Sequence, residues 1–370
     1  MVSGPAVEQA RDEQDGPPPR PAASRPVVLA ASALVAVALA AVAALLPVPY
    51  VLLSPGPTAN TIGEVDGTQL ITVRGRETYP TAGHLDLTTV SVSGGPGRRV
   101  DLVQALRGWL DPAVAVVPEE QVYPEGTTEE QVQQTNARDM TSSQDDATAA
   151  ALRQLGVPVD ERATVAAVAP GSAADGVLRV GDVITAVDGR AVAGSARAAE
   201  RVGDRSPGDL VELTVLRDGE ESVQRVVTRP AEDDPERAVV GVQLGTTFDA
   251  PFEVEFGLED VGGPSAGMMF ALGIIDELTP GELNGGQYVA GTGEITPDGQ
   301  VRPIGGIQQK LVAARDLGAD LFLAPSGNCR EVAAATPEGL RVTPVDSLGQ
   351  ALSALRALRE DRADALPTCG

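Results

Sequence analysis

The sequence has few of the side chains from which most enzyme sites are built. Its 370 residues contain one histidine, two cysteines and one tryptophan, and only 3% of them are aromatic. Among 28 basic residues, Lys310 is the only lysine. One histidine and two cysteines without ligand spacing do not predict a metal site, and no cofactor is expected. The core must be built mainly from Val, Leu, Ile and Ala.

Positive charge is also scarce. The formal net charge is −24 and the isoelectric point is about 4.4. No basic patch stands out, so neither nucleic acid nor an anionic membrane surface is an expected partner. The length predicts two or three domains with enough chain for a buried core.

The N-terminal region divides into two parts. Residues 1–25 are polar and proline-rich, without apolar periodicity, and predict a disordered tail. Val27 to Leu46 then gives 20 residues without a charge, about the length that crosses a bilayer. We therefore predict one transmembrane helix over 26–47.

The arginines around this segment predict its orientation. Arg20 and Arg25 precede it, and the next basic residue is Arg74. The positive-inside rule places the tail in the cytoplasm and the rest of the chain outside a bacterial cell membrane, as a single-pass protein. The alternative is a cleaved signal peptide, with Ala41 to Ala43 as the cleavage site.

The motif GGPSAG places Ser265 just before an apolar helical run. A glycine-rich turn that leads into a helix leaves backbone N–H groups unpaired at the positive helix end, which suits a developing oxyanion. We expect Ser265 to be a nucleophile, with backbone N–H groups of Gly262, Gly263 and Ala266 in support. A serine that only caps the helix is the alternative.

Lys310 is the candidate base. Arginine cannot lose its proton in a protein, whereas burial can lower the pKa of lysine enough for it to act as a base. On a helix that starts near Gly306, Lys310 shares a face with Ile307 and Leu311. The alternative is a lysine that extends its amine into solvent. A histidine triad would depend on His84 alone, far upstream in a strand-like segment.

Four motifs in one order resemble the proteolytic domain of Lon proteases: GGPSAG, TGEIT from Thr292, GQVRPIGGIQQK up to Lys310, and LAPSGN up to Asn328. The resemblance implies Ser265 as nucleophile, Lys310 as general base and Thr292 as support for the lysine. Gly262 stands where many Lon enzymes carry an acidic residue. A Walker motif needs a lysine, so no ATPase module is expected.

The region from Tyr50 to Gly156 reads as strands followed by a helix. The segment YVLLSPGP after the predicted anchor is similar to the opening of membrane-anchored Lon-like proteases of the YlbL type. That similarity implies the first half of the proteolytic fold. His84, Ser142 and Ser143 are expected to have structural or solvent roles.

Residues 157–231 resemble a bacterial PDZ domain, most specifically through VLRVGDVITAVDG. PDZ domains add a peptide to a sheet edge and bind C-terminal carboxylates in a backbone nest. The resemblance implies that peptide C-termini or internal segments bind here, with the carboxylate loop around Gly156 to Ala163. A structural spacer is the alternative.

The predicted fold class is α+β, a Lon-type proteolytic domain split in sequence by an inserted PDZ domain. The expected divisions are a cytoplasmic tail (1–25), a transmembrane helix (26–47), the first part of the Lon-like domain (48–156), the PDZ domain (157–231), the catalytic part (238–358) and a flexible tail (359–370). Lon-type domains usually form rings, so the resemblance also implies a homo-oligomer.

The function that follows is an ATP-independent, membrane-anchored serine endopeptidase for unfolded extracytoplasmic polypeptides, whose PDZ domain recruits or gates substrate. The alternative is an inactive, membrane-tethered peptide-binding adaptor. The nucleophile motifs of C-terminal-processing and HtrA-type proteases are missing. An extracytoplasmic site permits a disulfide between Cys329 and Cys369, but the tail is expected to be mobile and no spacing argument supports their pairing.

Overall fold

The computed structural model describes residues 25–44, 46–65, 67–258 and 261–369. Helices and strands are mixed along the chain. The helices are α1 (Arg25–Ala44), α2 (Leu102–Leu110), α3 (Glu119–Val122), α4 (Glu129–Gln154), α5 (Gly194–Gly203), α6 (Gly267–Leu278), α7 (Ile307–Asp316), α8 (Cys329–Ala335) and α9 (Leu348–Arg359), with 3-10 turns at Ser326–Asn328 and Ala363–Ala365.

The strands are mostly short. They are β1 (Pro47–Val48), β2 (Tyr50–Asn60), β3 (Glu64–Val65), β4 (Thr68–Gln69), β5 (Ile71–Arg74), β6 (His84–Ser93), β7 (Val100–Asp101), β8 (Ala115–Pro118), β9 (Asp160–Val168), β10 (Val183–Val187), β11 (Arg190–Ala191), β12 (Leu210–Arg217), β13 (Glu220–Val227), β14 (Arg229–Pro230), β15 (Ala238–Val239), β16 (Val242–Asp249), β17 (Glu253–Phe256), β18 (Tyr288–Gly291), β19 (Glu294–Ile295), β20 (Val301–Arg302), β21 (Leu321–Pro325) and β22 (Arg341–Val345).

One six-stranded sheet joins the two parts of the chain that flank residues 157–249. Its order is β22-β21-β18-β6-β2-β8. Strand β18 is parallel to both β6 and β21, and β2 is antiparallel to β6. The central parallel pair aligns Tyr288 with His84 and Gly291 with Leu87. The parts before and after the inserted segment therefore form a single unit, as a split domain predicts.

Helix α6 forms the centre of this unit. It is apolar on all sides, and nearly all of its residues are buried, which is the pattern of a helix enclosed by its domain. Helix α4 packs across its N-terminal end. A Cβ atom at Gly267 would lie 2.9 Å from the Oγ of Ser143, so glycine is required where the two helices meet.

The inserted unit is a second sheet in the order β13-β12-β10-β9-β16, covered by α5. Apolar residues of its strands, such as Val165 and Leu213, form a separate core. Strand β16, which the sequence divisions place after residue 231 and outside the inserted domain, pairs with β9 along its length and forms one edge of this sheet. The inserted unit therefore extends to Asp249.

The predicted carboxylate loop at Gly156 to Ala163 is wrong. Asp160 already begins β9, which lies between β10 and β16, so its backbone hydrogen bonds are used by neighbouring strands. The edge strand of this sheet is instead β16, which is preceded by the two-residue connection Val240 to Gly241. The two ends of the strand order, β16 and β13, are therefore the edges along which a peptide can be added.

At the N-terminus, a helix occupies Arg25–Ala44, where the sequence predicts one. No helix in the described part of the chain is long and apolar enough to cross a membrane, so the transmembrane assignment over 26–47 is not supported. The predicted disordered tail lies outside the described residues, except for Arg25, which begins α1.

The C-terminal tail is held in place, contrary to the expectation of flexibility over 359–370. Cys369 forms a disulfide with Cys329, with 4.9 Å between their Cα atoms. Leu366 packs against the main core, and Arg341 donates a hydrogen bond to the carbonyl of Ala363. The sequence left the pairing of the cysteines open because their separation of 40 residues carries no signal.

Candidate active site

The structure brings Ser265 and Lys310 into contact. The distance between Lys310 Nζ and Ser265 Oγ is 2.8 Å, although 45 residues separate them in the sequence. Ser265 lies two residues before α6, and Lys310 lies in the first turns of α7. Helix α7 begins after Gly306, whose φ of +68° is a left-handed conformation that glycine adopts without strain.

Burial changes the chemistry of Lys310. Its side chain is 2% exposed, and desolvation lowers the pKa of the amine from 10.5 to about 7. Near neutral pH a large fraction of the amine is therefore uncharged and carries a free electron pair. This is the protonation state that a general base requires.

Thr292 connects the amine to the backbone of the nucleophile. Lys310 Nζ donates to its hydroxyl at 2.8 Å, and the hydroxyl donates to the carbonyl of Ser265 at 3.0 Å. The N–H of Gly293 donates to the same carbonyl at 2.8 Å. Thr292 is fully buried at the end of β18, so the base, the threonine and the serine backbone are held in one arrangement.

The structure removes one of the oxyanion donors that the sequence predicted. The N–H of Gly263 donates to the carbonyl of Asn136 at 3.1 Å, and proline at 264 has no N–H. The N–H groups of Ser265 and Ala266 have no hydrogen-bond partner among the described residues. The role predicted for Gly263 is therefore corrected, because its N–H is used to fix the turn.

Gly262 has a steric role. A Cβ atom there would lie 2.6 Å from the Cβ of Asn136, because α4 crosses the turn at that point. An acidic side chain, which many Lon enzymes carry at this position, would require α4 to move. The glycine thus follows from how closely this helix approaches the turn.

Helix α4 supplies two contacts that sequence reasoning missed. Its Asn136 carbonyl accepts from Gly263, and the buried Ser143 donates through Oγ to the carbonyl of Pro264 at 3.0 Å. The backbone contact has no sequence signature. Ser143 was given a structural role, and its partner turns out to be the residue before the nucleophile.

Asn328, in the LAPSGN motif, contacts the segment Pro303 to Gly306 that precedes α7. Its side chain accepts from the N–H of Ile304 at 3.0 Å and donates to the carbonyl of the same residue at 2.9 Å. Ile304 belongs to the loop that leads into α7. Asn328 therefore fixes the entry of the helix that carries Lys310.

A cleft of about 850 Å³ opens onto Ser265 and Lys310. One wall is the segment Thr88 to Val92 of β6, and another is the loop Pro303 to Gly305. Residues of α4 and the nucleophile turn complete it.

His84 is not part of this site. It stacks on Tyr288 with 4.1 Å between ring centroids, and its Nδ1 lies 3.3 Å from the buried carboxylate of Asp86. Tyr288 begins β18, whereas Thr292 follows its end, so the two places are about 13 Å apart along the strand. Burial raises the pKa of the Asp86 carboxyl. The cluster has a structural role in the sheet.

Metal chemistry finds no candidate here. Among the described residues, no group of His, Cys, Asp or Glu side chains is arranged to hold a metal ion. Next to Ser265 the cleft offers a hydroxyl, an amine and backbone N–H groups, and Tyr123 and Glu294 also line it.

Comparison with known families agrees with this geometry. Residues 254–357 match the family described as Lon protease (S16) C-terminal proteolytic domain, and residues 134–227 match the PDZ domain family. The first match contains Ser265, Thr292 and Lys310. The second begins within α4 and ends before β16.

Curated Lon proteases are similar over part of the chain. The Lon protease of Buchnera aphidicola is 32% identical over 136 residues, which cover 36% of this chain and 17% of that protein. That of Roseiflexus castenholzii is 35% identical over 107 residues, covering 28% of this chain and 13% of that protein. The chain thus spans less than a fifth of these relatives.

Among solved structures, the PDZ domain of an SdrC-like protein from Listeria monocytogenes aligns with 22% identity. The alignment covers 22% of this chain and 85% of that domain. Its TM-score of 0.21 is too low to carry any argument about this chain. The family matches, by contrast, confirm the resemblance on which the sequence interpretation rested: this chain contains a Lon-type proteolytic domain and a PDZ domain.

Proposed function

We propose that the protein is a serine endopeptidase in which Ser265 is the nucleophile and Lys310 the general base. The observation that carries the proposal is the 2.8 Å contact between the Ser265 hydroxyl and the buried amine of the only lysine in the chain. Arginine could not replace that amine, because it does not lose its proton.

The reaction follows from the arrangement of these groups. Neutral Lys310 accepts the hydroxyl proton as Ser265 Oγ bonds to a peptide carbonyl carbon, and the N–H groups of Ser265 and Ala266 stabilise the oxyanion. The C–N bond breaks as the protonated amine gives its proton to the leaving nitrogen, leaving an acyl-enzyme. Water, deprotonated by Lys310, then attacks the ester and releases the serine.

The cleft favours extended substrates. Strand β18 covers one edge of β6 only as far as Leu87, so the edge beyond it is open toward the cleft. Proline at 55 has no N–H and lies opposite Val90, which makes this a non-hydrogen-bonded pair. By the alternation of antiparallel pairs, the backbone groups of Val90 and Val92 then point to the open edge. An unfolded segment can add there as a strand, and we propose such segments as substrates.

The PDZ domain offers a second peptide site. A cavity of about 500 Å³ lies between α5 and the edge strand β16, and apolar side chains such as Ala199, Val202 and Leu244 line it. We propose that a peptide, at its C-terminus or within the chain, pairs with β16 there.

Helix α4 gives this site a route to the catalytic turn, which favours gating. At its C-terminal end, the Arg153 guanidinium lies 5.5 Å from the ring centre of Phe248 in β16 and donates to the carbonyl of Pro297. Further along the same helix, Asn136 and Ser143 hold the nucleophile turn. A shift of β16 on peptide binding can therefore reach Ser265 through one rigid element.

The disulfide supports a location outside the cytoplasm. Cys329 and Cys369 are bonded, and disulfides persist mainly in oxidising compartments. We therefore propose that the catalytic domain is extracytoplasmic. Attachment to the cell membrane and assembly into a homo-oligomer stay predictions from the sequence, which cell fractionation and light scattering would test.

We propose ATP independence because the sequence contains a single lysine. These 370 residues contain no lysine for a phosphate-binding loop besides Lys310. The test is cleavage of an unfolded fluorescent protein by the purified full chain without ATP. We expect cleavage by the wild type and none by Ser265→Ala or Lys310→Arg. No cleavage by the wild type at any pH, with PDZ-binding peptides added, would favour the inactive adaptor.

A further inference from the structure

Helix α2 has an apolar side that the described chain leaves largely exposed. The helix packs on the sheet through Ala105 and Gly108, where a Cβ atom at Gly108 would lie 2.8 Å from Val116. Leu106, Trp109 and Leu110, spaced three and four residues apart, lie away from this contact. They are 47%, 55% and 85% exposed. We call these three residues the α2 apolar face.

Charged residues of both signs lie in and next to α2, and the basic ones have no ion-pair partner in the described part of the chain. Arg98, Arg99 and Arg107 are exposed, and none of them forms an ion pair with another described residue. The nearby Asp101 caps α2 by accepting a 2.7 Å hydrogen bond from the N–H of Gln104. Of the five charged residues between Arg98 and Asp111, three are basic and two are acidic, whereas the whole chain has a net charge of −24. From the net charge of the whole chain, no anionic membrane partner was expected. The charge around α2 differs from that net charge.

The α2 apolar face lies where the N-terminal helix joins the main unit. Strand β1 pairs with β7 just before α2, and the N–H of Leu102 donates to the carbonyl of Leu46 at 3.2 Å. The described side chains of α1 are exposed and largely apolar. Trp109 also meets the ring of Tyr50 edge-on, with 5.6 Å between ring centroids. Tryptophan and tyrosine beside apolar and basic residues are typical of surfaces at the membrane–water interface.

We propose that the α2 apolar face binds the surface of a lipid bilayer that contains anionic headgroups. Leu106, Trp109 and Leu110 enter the boundary between headgroups and acyl chains, while the arginines contact lipid phosphates. A second copy of this chain is a poorer occupant. A twofold contact would bring the same arginines of both copies together, and like charges across an interface oppose association.

Trp109 makes the proposal directly measurable, because it is the only tryptophan in the chain. The full chain is mixed with vesicles of phosphatidylcholine and phosphatidylglycerol in equal parts, or of phosphatidylcholine alone. We expect a blue shift of the emission and quenching by brominated acyl chains, both stronger with the anionic lipid. The double variant Leu106→Ser/Leu110→Ser removes the quenching. The control variant Leu210→Ser changes a leucine of the PDZ domain that is 55% exposed, and it leaves the quenching unchanged.

A second variant tests the charge without changing the packing. Arg98→Gln/Arg99→Gln/Arg107→Gln should raise the anionic lipid concentration at half-maximal shift about a hundredfold, at roughly fivefold for each arginine. Circular dichroism checks that all variants are folded. The proposal is overturned if the emission of Trp109 is unchanged by both kinds of vesicle, or if quenching persists in the leucine double variant. A blue shift without vesicles that follows protein concentration and a doubled mass also overturns it, in favour of a second copy.

Discussion

The Oγ of Ser143 donates a 3.0 Å hydrogen bond to the carbonyl of Pro264, although the two residues are 121 positions apart in the sequence. The contact fixes the peptide bond that ends at the nucleophile, so that the N–H of Ser265 keeps its direction. Ser143 acts through this turn and does not touch the reacting atoms. Its hydroxyl is therefore a positioning group for the proposed oxyanion site.

Ser143→Ala should lower kcat about fivefold with little change in KM, because one hydrogen bond that orients the turn is worth about 1 kcal/mol. The measurement is steady-state peptide cleavage with a fluorogenic substrate. Ser142→Ala changes an exposed neighbour on the same helix and is the matched control. Equal activity of both variants would show that Ser143 only packs the helix.

Replacing Lys310 with methionine should stabilise the folded protein at neutral pH while abolishing cleavage. The pKa of the amine is about 7 when folded and near 10.5 when unfolded. Between pH 7 and 10.5 the amine is largely neutral in the folded protein and protonated in the unfolded chain. The buried lysine therefore lowers the free energy of unfolding, and this loss becomes smaller as the pH rises. The expected gain for Lys310→Met is about 4 kcal/mol at pH 7 and small near pH 10.

Denaturant unfolding of Lys310→Met and wild type at both pH values measures this difference. Arg315→Met removes a largely exposed positive charge from the same helix and serves as the control. A gain that is the same at pH 7 and pH 10 would mean that the amine is not desolvated in the folded state.

Gly262→Ala should destabilise the turn by about 1–3 kcal/mol and reduce cleavage, because the new Cβ meets the Cβ of Asn136. Asn136→Gly removes that obstacle and should restore part of the activity in the double variant. Gly203→Ala, where a Cβ has open space, is the control. Thermal unfolding and cleavage rates report the two effects. If the double variant recovers no activity, the close approach of α4 is not the reason why residue 262 is a glycine.

Loss of the disulfide should lower stability by about 2–4 kcal/mol, because it closes a loop whose ends are 40 residues apart. Cys369→Ser or treatment with a reductant should have the same effect on the thermal midpoint. Adding the reductant to Cys369→Ser should change nothing further. A wild type with two titratable thiols before reduction would contradict the pairing.

The catalytic motifs were visible in the sequence because they are local. Ser265, Thr292 and Lys310 belong to short motifs whose order and spacing carry the resemblance, and the structure brings all three within hydrogen-bond distance. The division of the main unit into two parts was also predictable, because the inserted segment has its own strand and turn pattern.

The remaining features depend on contacts between distant segments. Asn136 acts through a backbone carbonyl, which no side-chain pattern reveals. Strand β16 joins the inserted sheet through pairing with β9, and from its sequence it could equally have belonged to the catalytic part. The carboxylate loop was misplaced for the same reason. The pairing of Cys369 required knowing where the tail packs.

The central claim is that the buried amine of Lys310 activates Ser265. Its most direct test is the rate at which a fluorophosphonate labels the protein between pH 5 and 9, with the modified residue identified by mass spectrometry. We expect the label on Ser265, a rate that rises with pH around a midpoint near 7, and no labelling of Lys310→Arg. An unlabelled wild type, or labelling that is equally fast in Lys310→Arg, would contradict the account.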